Sequence, residues 1–329
     1  MNFQILKPLS FLQKLLPILF LLPFFPLAQS EYTQAVKYFQ EQKFSKAKPI
    51  FENHLKQNPN DNRTKEYLGD IAVHAKDWDT AISYYEALAK ATPSSANIHY
   101  KYGGAMAMKM QSISRLRAVS YIGDVKREFE TAANLDPKHI EVRWALIEYY
   151  LQLPSILGGS EKKAIAYAKE LSKISPVDGY LAEGHIFEYS EKYKEAEKSF
   201  KNAIEVGQSP HTYQRLINLY LKADNPNKAL ETALESLRLH QDNNINYQIG
   251  EIVAESNIQS ANGIECLGNY ISNYTKEDRL PKAWAYYRLA QIHRNLRNKQ
   301  IALTWINKAL IDMPNFKEAK KERSLILAL

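Results

Sequence analysis

The strongest structural signal in the chain lies in residues 62–95, which read NRTKEYLGDIAVHAKDWDTAISYYEALAKATPSS. Here Ala81 is followed four residues later by Tyr85 and twelve residues later by Pro93. Residues four apart lie on one face of a helix, so the small alanine lets another helix approach while the aromatic ring fills the gap beside it. The proline then ends the helix because it cannot continue the hydrogen-bond ladder. The segment therefore predicts two short antiparallel helices, A and B, joined by turns.

This spacing recurs along the chain at intervals near 34 residues, about the length of two short helices and two turns. Helix A has a small position of its own, occupied for example by Gly69 and Gly103. Repeats six and seven lack the proline after helix B. Because no helix pair can bury its apolar face alone, neighbouring pairs must stack. The eight small anchor residues of helix B are Ala47, Ala81, Val125, Ala164, Ala196, Ala229, Gly263 and Ala302.

The chain resembles tetratricopeptide repeat proteins, most clearly in two copies of the repeat. Residues 62–95 carry LGD at Leu68–Asp70, and residues 283–316 carry KQIALTWINKALIDMPN. The resemblance covers residues 31–316 and implies an all-α fold, an α-solenoid built as a right-handed superhelix of about eight antiparallel helix pairs. Residues 317–329 are expected to form a C-terminal capping helix.

Residues 1–30 are expected to be a signal peptide. Residues 15–28, LLPILFLLPFFPLA, follow two lysines and form an apolar run shorter than the roughly 20 residues that span a bilayer. The small residues Ala28 and Ser30 favour cleavage before Glu31. Export predicts a location in the periplasm, in the outer envelope or outside the cell. The alternative is an uncleaved anchor, and membrane contact is expected only through this segment.

The composition excludes several classes of protein. The chain has 329 residues, 45% of them hydrophobic and 24% charged, which is typical of a folded protein and not of a disordered one. A single cysteine, Cys266, excludes an internal disulfide framework and a multi-cysteine metal site. The formal charge is +7, but the cations are scattered among acids. This pattern predicts a solvated surface and no nucleic-acid partner.

No catalytic constellation is present in the sequence. None of the eight histidines lies four residues from another, and no nucleophile elbow occurs. The acidic pair Asp77 and Asp79 lies in a turn, where Asp79 is expected to cap the next helix. Cys266 stands where an aromatic residue is usual and is expected to be a small core residue. We therefore expect no enzyme activity, no metal and no cofactor.

Two repeats carry insertions between helix A and helix B. The third repeat has about ten extra residues around 111–121, and the fourth has about five around 153–160. The second insertion ends in Gly158-Gly159-Ser160, and its P-x-x-x-GGS pattern at 154–160 resembles a long-repeat subgroup of bacterial proteins in this family. The glycines and serine favour a helix stop followed by an N-cap. A binding loop is the alternative.

In this family, helix A lines the concave face, and its fifth and ninth positions typically meet a ligand. The fifth position is aromatic in five of the eight repeats, and the ninth carries three acids and no cation. Aromatic residues are typical interface anchors, and neighbouring acids would favour a basic or amine-bearing segment. The absence of Lys and Arg at these positions argues against a clamp for an acidic peptide C-terminus. The candidate groove residues are Tyr100, Trp144, Tyr247, Tyr287, Glu66, Asp70, Glu148 and Glu251.

The sequence favours an exported, non-catalytic scaffold that binds a peptide or a partner protein in an aromatic and acidic groove. A glycan- or cell-wall-binding solenoid is an alternative, because aromatic faces and acids also suit sugar rings. A second alternative is a structural subunit of an envelope complex, which would bind through its convex face or through the insertion at 111–121.

Overall fold

A computed structural model describes residues 24–329 of the protein, with side chains from residue 31 onward. Within these residues the chain is helical and contains no strand. The prediction of an all-α solenoid is confirmed. The predicted signal peptide, residues 1–30, lies outside the residues with described side chains.

The described residues form eight helix pairs, in which the first helix is A and the second is B. A short helix, α6 (Arg115–Ala118), lies within the third pair, and α18 (Lys317–Leu327) follows the last pair. The pairs are α1 (Phe24–Gln40) and α2 (Phe44–Gln57), α3 (Asn62–His74) and α4 (Trp78–Ala91), α5 (Ala96–Ser112) and α7 (Ile122–Leu135), α8 (Ile140–Gln152) and α9 (Glu161–Ile174), α10 (Pro176–Tyr189) and α11 (Tyr193–Gly207), α12 (Pro210–Lys222) and α13 (Pro226–His240), α14 (Asn243–Ser256) and α15 (Ser260–Ser272), and α16 (Lys282–Asn295) and α17 (Lys299–Asp312).

The chain divides into two compact units, and the division falls within α8 between Leu146 and Ile147. In each unit, helices pack mainly against their neighbours in sequence, as α5 does against α7 and α10 against α11. Local packing of this kind is typical of a repeat architecture, because each pair completes its core with the next one.

The core of each pair lies where the repeat pattern places it. All eight anchor residues are buried, as are the residues four positions later, among them Phe129 and Phe200. A Cβ added to Gly184 would lie 2.4 Å from the ring of Phe200, so only glycine allows this approach of helix A to helix B. In the seventh repeat, Leu267 packs against Gly250 and takes the usual aromatic position. The placement of Cys266 there is wrong by one residue, although Cys266 is buried in the core.

Helix starts follow from local side-chain hydrogen bonds. Helix α4 begins after Asp77, whose carboxylate accepts a hydrogen bond from the backbone N–H of Thr80. The assignment of the cap to Asp79 is therefore wrong, and Asp79 lies in the first turn, where the helix dipole favours an acid. Helix α9 begins after Ser160, whose hydroxyl oxygen accepts a hydrogen bond from the backbone N–H of Lys163. Ser160 is therefore the N-cap, as the helix-stop interpretation of the Gly-Gly-Ser segment predicts.

Helix α13 ends without a proline and uses a left-handed residue instead. Gln241 has φ 52°, and its backbone N–H donates to the carbonyl of Leu237. A left-handed conformation costs a residue with a Cβ about 1 kcal/mol, and glycine avoids that cost. We expect Gln241→Gly to raise the free energy of unfolding by about 0.5–1 kcal/mol in urea denaturation. Lys198→Gly, at an exposed position in the middle of α11, should lower it by about 1 kcal/mol, and a fall in both variants would contradict the prediction.

Candidate interaction surface on the A helices

The eight candidate groove residues all lie on A helices, but they divide between the two units. Glu66 and Asp70 lie on α3, Tyr100 on α5 and Trp144 on α8, all in the first unit. The second unit holds the other four, on α8, α14 and α16: Glu148, Tyr247, Glu251 and Tyr287.

In the first unit, the two acids share one cation from the next A helix. Lys101 Nζ lies 2.7 Å from a carboxylate oxygen of Glu66 and 2.8 Å from both oxygens of Asp70. Burial acts to lower the pKa of Lys101, but its bonds to the two carboxylates outweigh burial and raise that pKa. Asp70 also accepts a hydrogen bond of 2.6 Å from the hydroxyl of Tyr85 on α4. These contacts fix α5 against α3 and partly neutralise the acids.

The acids of the second unit are paired in the same way. Glu251 on α14 lies 2.5 Å from Nη2 of Arg288 on α16, and this guanidinium also lies 2.8 Å from Glu255. Glu148 lies 2.5 Å from Nε2 of His185 on α10, and the hydrogen bond from His185 lowers the pKa of Glu148. Each acid of the ninth position therefore meets a basic side chain of the following A helix.

The sixth position of helix A supplies two of these cations. Lys101 follows Tyr100 directly, and Arg288 follows Tyr287. These two cations cannot be found by reading only the fifth and ninth positions of helix A. A lysine or arginine directly after the aromatic residue of the fifth position is the sequence pattern that would have indicated them. A basic partner would have to displace these cations of the chain to reach the acids.

The aromatic residues of the groove row differ in exposure. Tyr247 is 6% exposed, and its ring centroid lies 5.4 Å from that of Tyr270, so it belongs to the core of the second unit. Burial raises its pKa to about 12. Tyr287 is half-buried, 5.3 Å from Phe316 between ring centroids. Trp144 is also half-buried.

Tyr100 lies in an open cleft of about 470 Å³ between the beginnings of α5 and α8 in the first unit. Its ring is half-buried against His139 at 5.1 Å and Phe129 at 6.3 Å between centroids. Burial, with a smaller effect of the nearby Glu141 carboxylate, raises the pKa of Tyr100 above its ordinary value. The polar side chains lining this cleft are those of Asn97, Tyr100, Asp136, Lys138, His139 and Glu141.

Among the described residues, no group of three or more His, Cys, Asp and Glu side chains is placed to hold a metal ion. Burial raises the pKa of Cys266 to about 11, which keeps it a thiol. None of the helices in residues 24–329 is both long and apolar enough to pass through a membrane.

Two family models match segments of this helix-pair pattern. Residues 32–96 match one tetratricopeptide repeat model, and residues 285–310 match another. The first segment covers most of the first two helix pairs, and the second covers most of the last pair. The chain contains tetratricopeptide repeats. Stacked repeats of this kind present extended surfaces that bind protein partners.

Several solved structures are similar to this repeat protein. A tetratricopeptide repeat protein from Parabacteroides merdae is 12% identical, over 91% of this chain and 98% of its own, with a TM-score of 0.49. YrrB, a tetratricopeptide repeat protein with an unusual peptide-binding site, is 18% identical over 60% and 97%, with a TM-score of 0.42. TTC0263 from Thermus thermophilus is 16% identical over 69% and 98%, with a TM-score of 0.40. No curated protein sequence matches this tetratricopeptide repeat protein.

Proposed function

We propose that this tetratricopeptide repeat protein is an exported, non-catalytic scaffold that binds an extended segment of a partner protein. The Tyr100 cleft on the A helices of the first unit is the binding site. The observation that carries this proposal is the half-buried Tyr100 ring, which lies at an open cleft and packs against His139. The family supports the general role, because stacked helix pairs bind protein partners along their surfaces.

The lining of the cleft suits a peptide of mixed charge. The ring of Tyr100 offers apolar contact at a low entropic cost, since packing against His139 already restricts it. The exposed side chains of Lys138 and Glu141 offer one charge of each sign. Asn97 supplies an amide that can bond to a peptide backbone. Affinity would come from several modest contacts.

The neighbouring ion pairs stabilise the shape of this site. Lys101 follows Tyr100 on α5 and bonds to Glu66 and Asp70 on α3, so the first turns of α5 are held in one position. Asn97 adds a hydrogen bond of 3.3 Å to Glu66. A binding surface that is ordered before the partner arrives loses less entropy on binding.

Export is the second part of the proposal, and residues 1–30 support it. The apolar run and the small residues before Glu31 are those of a cleavable signal. Expression of the full chain in a bacterial host, followed by fractionation and N-terminal sequencing, tests it. We expect protein in the periplasmic fraction that begins at Glu31, and a chain retained whole in the cytoplasm would contradict export.

A random dodecapeptide display library, panned against residues 31–329, tests the cleft. We expect selected peptides to bind Tyr100→Ala at least about tenfold more weakly, or ~1.4 kcal/mol, by titration calorimetry. Tyr189→Ala is the matched control because Tyr189 is an exposed tyrosine on the second unit, and its affinity should not change. Equal binding by a folded Tyr100→Ala variant would exclude the cleft. Binding of soluble cell-wall oligosaccharides, with no peptide selected, would favour the glycan alternative.

A further inference from the structure

The insertion of the third repeat forms a small exposed projection. It consists of α6 and a 3₁₀ turn, Val119–Tyr121, and neither contains a buried residue. Leu116 is 87% exposed and Val119 is 47% exposed. These apolar side chains are largely in water, so burial within the chain does not explain them.

Leu116 stands between two arginines in the sequence. Arg115 and Arg117 flank it, and both are exposed. The segment 110–123, MQSISRLRAVSYIG, contains no acid. Among residues 31–329, no ion pair is found for either arginine, whereas Arg127 on the adjoining α7 is paired with Asp124 and Glu128.

The base of the projection is attached to the helices around it. Lys109, near the end of α5, forms an ion pair with Asp79 on α4. The ammonium of Lys109 also lies 5.4 Å from the ring centroid of Tyr121, the last residue of the 3₁₀ turn. The tip, residues 115–119, therefore projects from an anchored base.

We propose that this projection binds the surface of an anionic membrane. Arginine guanidinium groups bind phosphate oxygens with two parallel hydrogen bonds, so Arg115 and Arg117 would contact lipid headgroups. Leu116 and Val119 would enter the boundary between headgroups and acyl chains, as the apolar residues of interfacial helices do. This contact is additional to the membrane contact expected of the N-terminal segment.

Two features of the projection favour lipid over a protein partner. The exposed Leu116 stands in the sequence between two exposed arginines, and anionic headgroups above an apolar interior can accept both kinds of side chain. The α6 helix and the 3₁₀ turn also contain no buried residue, so their side chains are presented outward to a surface. Four charges or more are typical of strong polybasic attachment, so two arginines predict weak, salt-sensitive binding that orients the protein.

Vesicle sedimentation tests the proposal. The probes are phosphatidylcholine vesicles, with and without about one third phosphatidylglycerol, at low and high salt. Residues 31–329 are used because they are the proposed mature chain and lack the apolar run 15–28, which would bind lipid itself. We expect at least about tenfold stronger binding to the anionic vesicles at low salt, and its loss at high salt.

Variants assign that binding to the projection. Arg115→Glu combined with Arg117→Glu should abolish it, and Leu116→Ser should weaken it several-fold. Lys320→Glu combined with Lys321→Glu is the control for the arginine variant, because it changes the net charge equally on the exposed face of α18. Ile311→Ser is the control for the leucine variant, because Ile311 is 76% exposed on α17. Both controls should bind like the parent. Failure of the parent to bind anionic vesicles, or equal loss in the controls, would overturn the proposal, and circular dichroism verifies folding in each variant.

Discussion

Replacing Glu128 with leucine is expected to lower the free energy of unfolding by about 3 kcal/mol, because it leaves a buried histidine without its carboxylate. His99 and Glu128 are both buried, with 2.6 Å between Nδ1 and Oε2. The other ring nitrogen of His99 lies 3.1 Å from the carbonyl of Pro93. The pair joins α5 to α7 and to the turn before α5, beside the Tyr100 cleft. Urea denaturation at neutral pH measures the loss.

A double variant separates the pair from ordinary packing. His99→Phe alone should also cost about 2–3 kcal/mol, since the buried carboxylate of Glu128 loses its histidine partner and keeps only Arg127, at 3.2 Å. His99→Phe with Glu128→Leu removes both polar groups and should recover most of that loss. Additive losses in the double variant would show that the two side chains act independently and would contradict this account.

Adjacent glycines on α5 are expected to respond to alanine in opposite directions. A Cβ on Gly103 would lie 2.8 Å from ring atoms of Phe129, which is buried on α7. Overpacking of this kind costs about 1–3 kcal/mol, more than alanine's gain of ~1 kcal/mol in helix propensity. We therefore expect Gly103→Ala to lower the melting temperature of the protein, measured by circular dichroism.

Gly104 is the matched control for this substitution. A Cβ there meets no atom within 4 Å, so the propensity gain stands alone and Gly104→Ala should raise the free energy of unfolding by up to ~1 kcal/mol. The two variants differ only in the face of α5 on which the added methyl group lies. Destabilisation by both, or stabilisation by both, would show that the Gly103–Phe129 approach does not govern the packing of this pair.

The repeat was predictable from the sequence because its contacts are local. Ala81 and Tyr85 lie on one turn of one helix, and Gly69 meets Tyr85 across a single short turn. Steric size at such positions is a property of each residue, so the spacing of small and large residues predicts the helix pairs and the stacking. The same locality identifies Ser160 as a cap. Errors of one residue, at Asp79 and Cys266, arise where two adjacent residues fit the same pattern.

The sequence by itself determined the family, the all-α solenoid and the positions of its buried anchors. Only the tertiary structure decided which surface residues are available, because that depends on contacts between repeats. Asp70 and Glu251 are acids in the sequence, but in the structure they form ion pairs. Their partners are Lys101 and Arg288 of the next A helices. Tyr247 and Tyr100 share one repeat position, yet packing buries the first and leaves the second at an open cleft. Helix periodicity fixes which face a side chain lies on, whereas the neighbouring repeat fixes what that side chain meets.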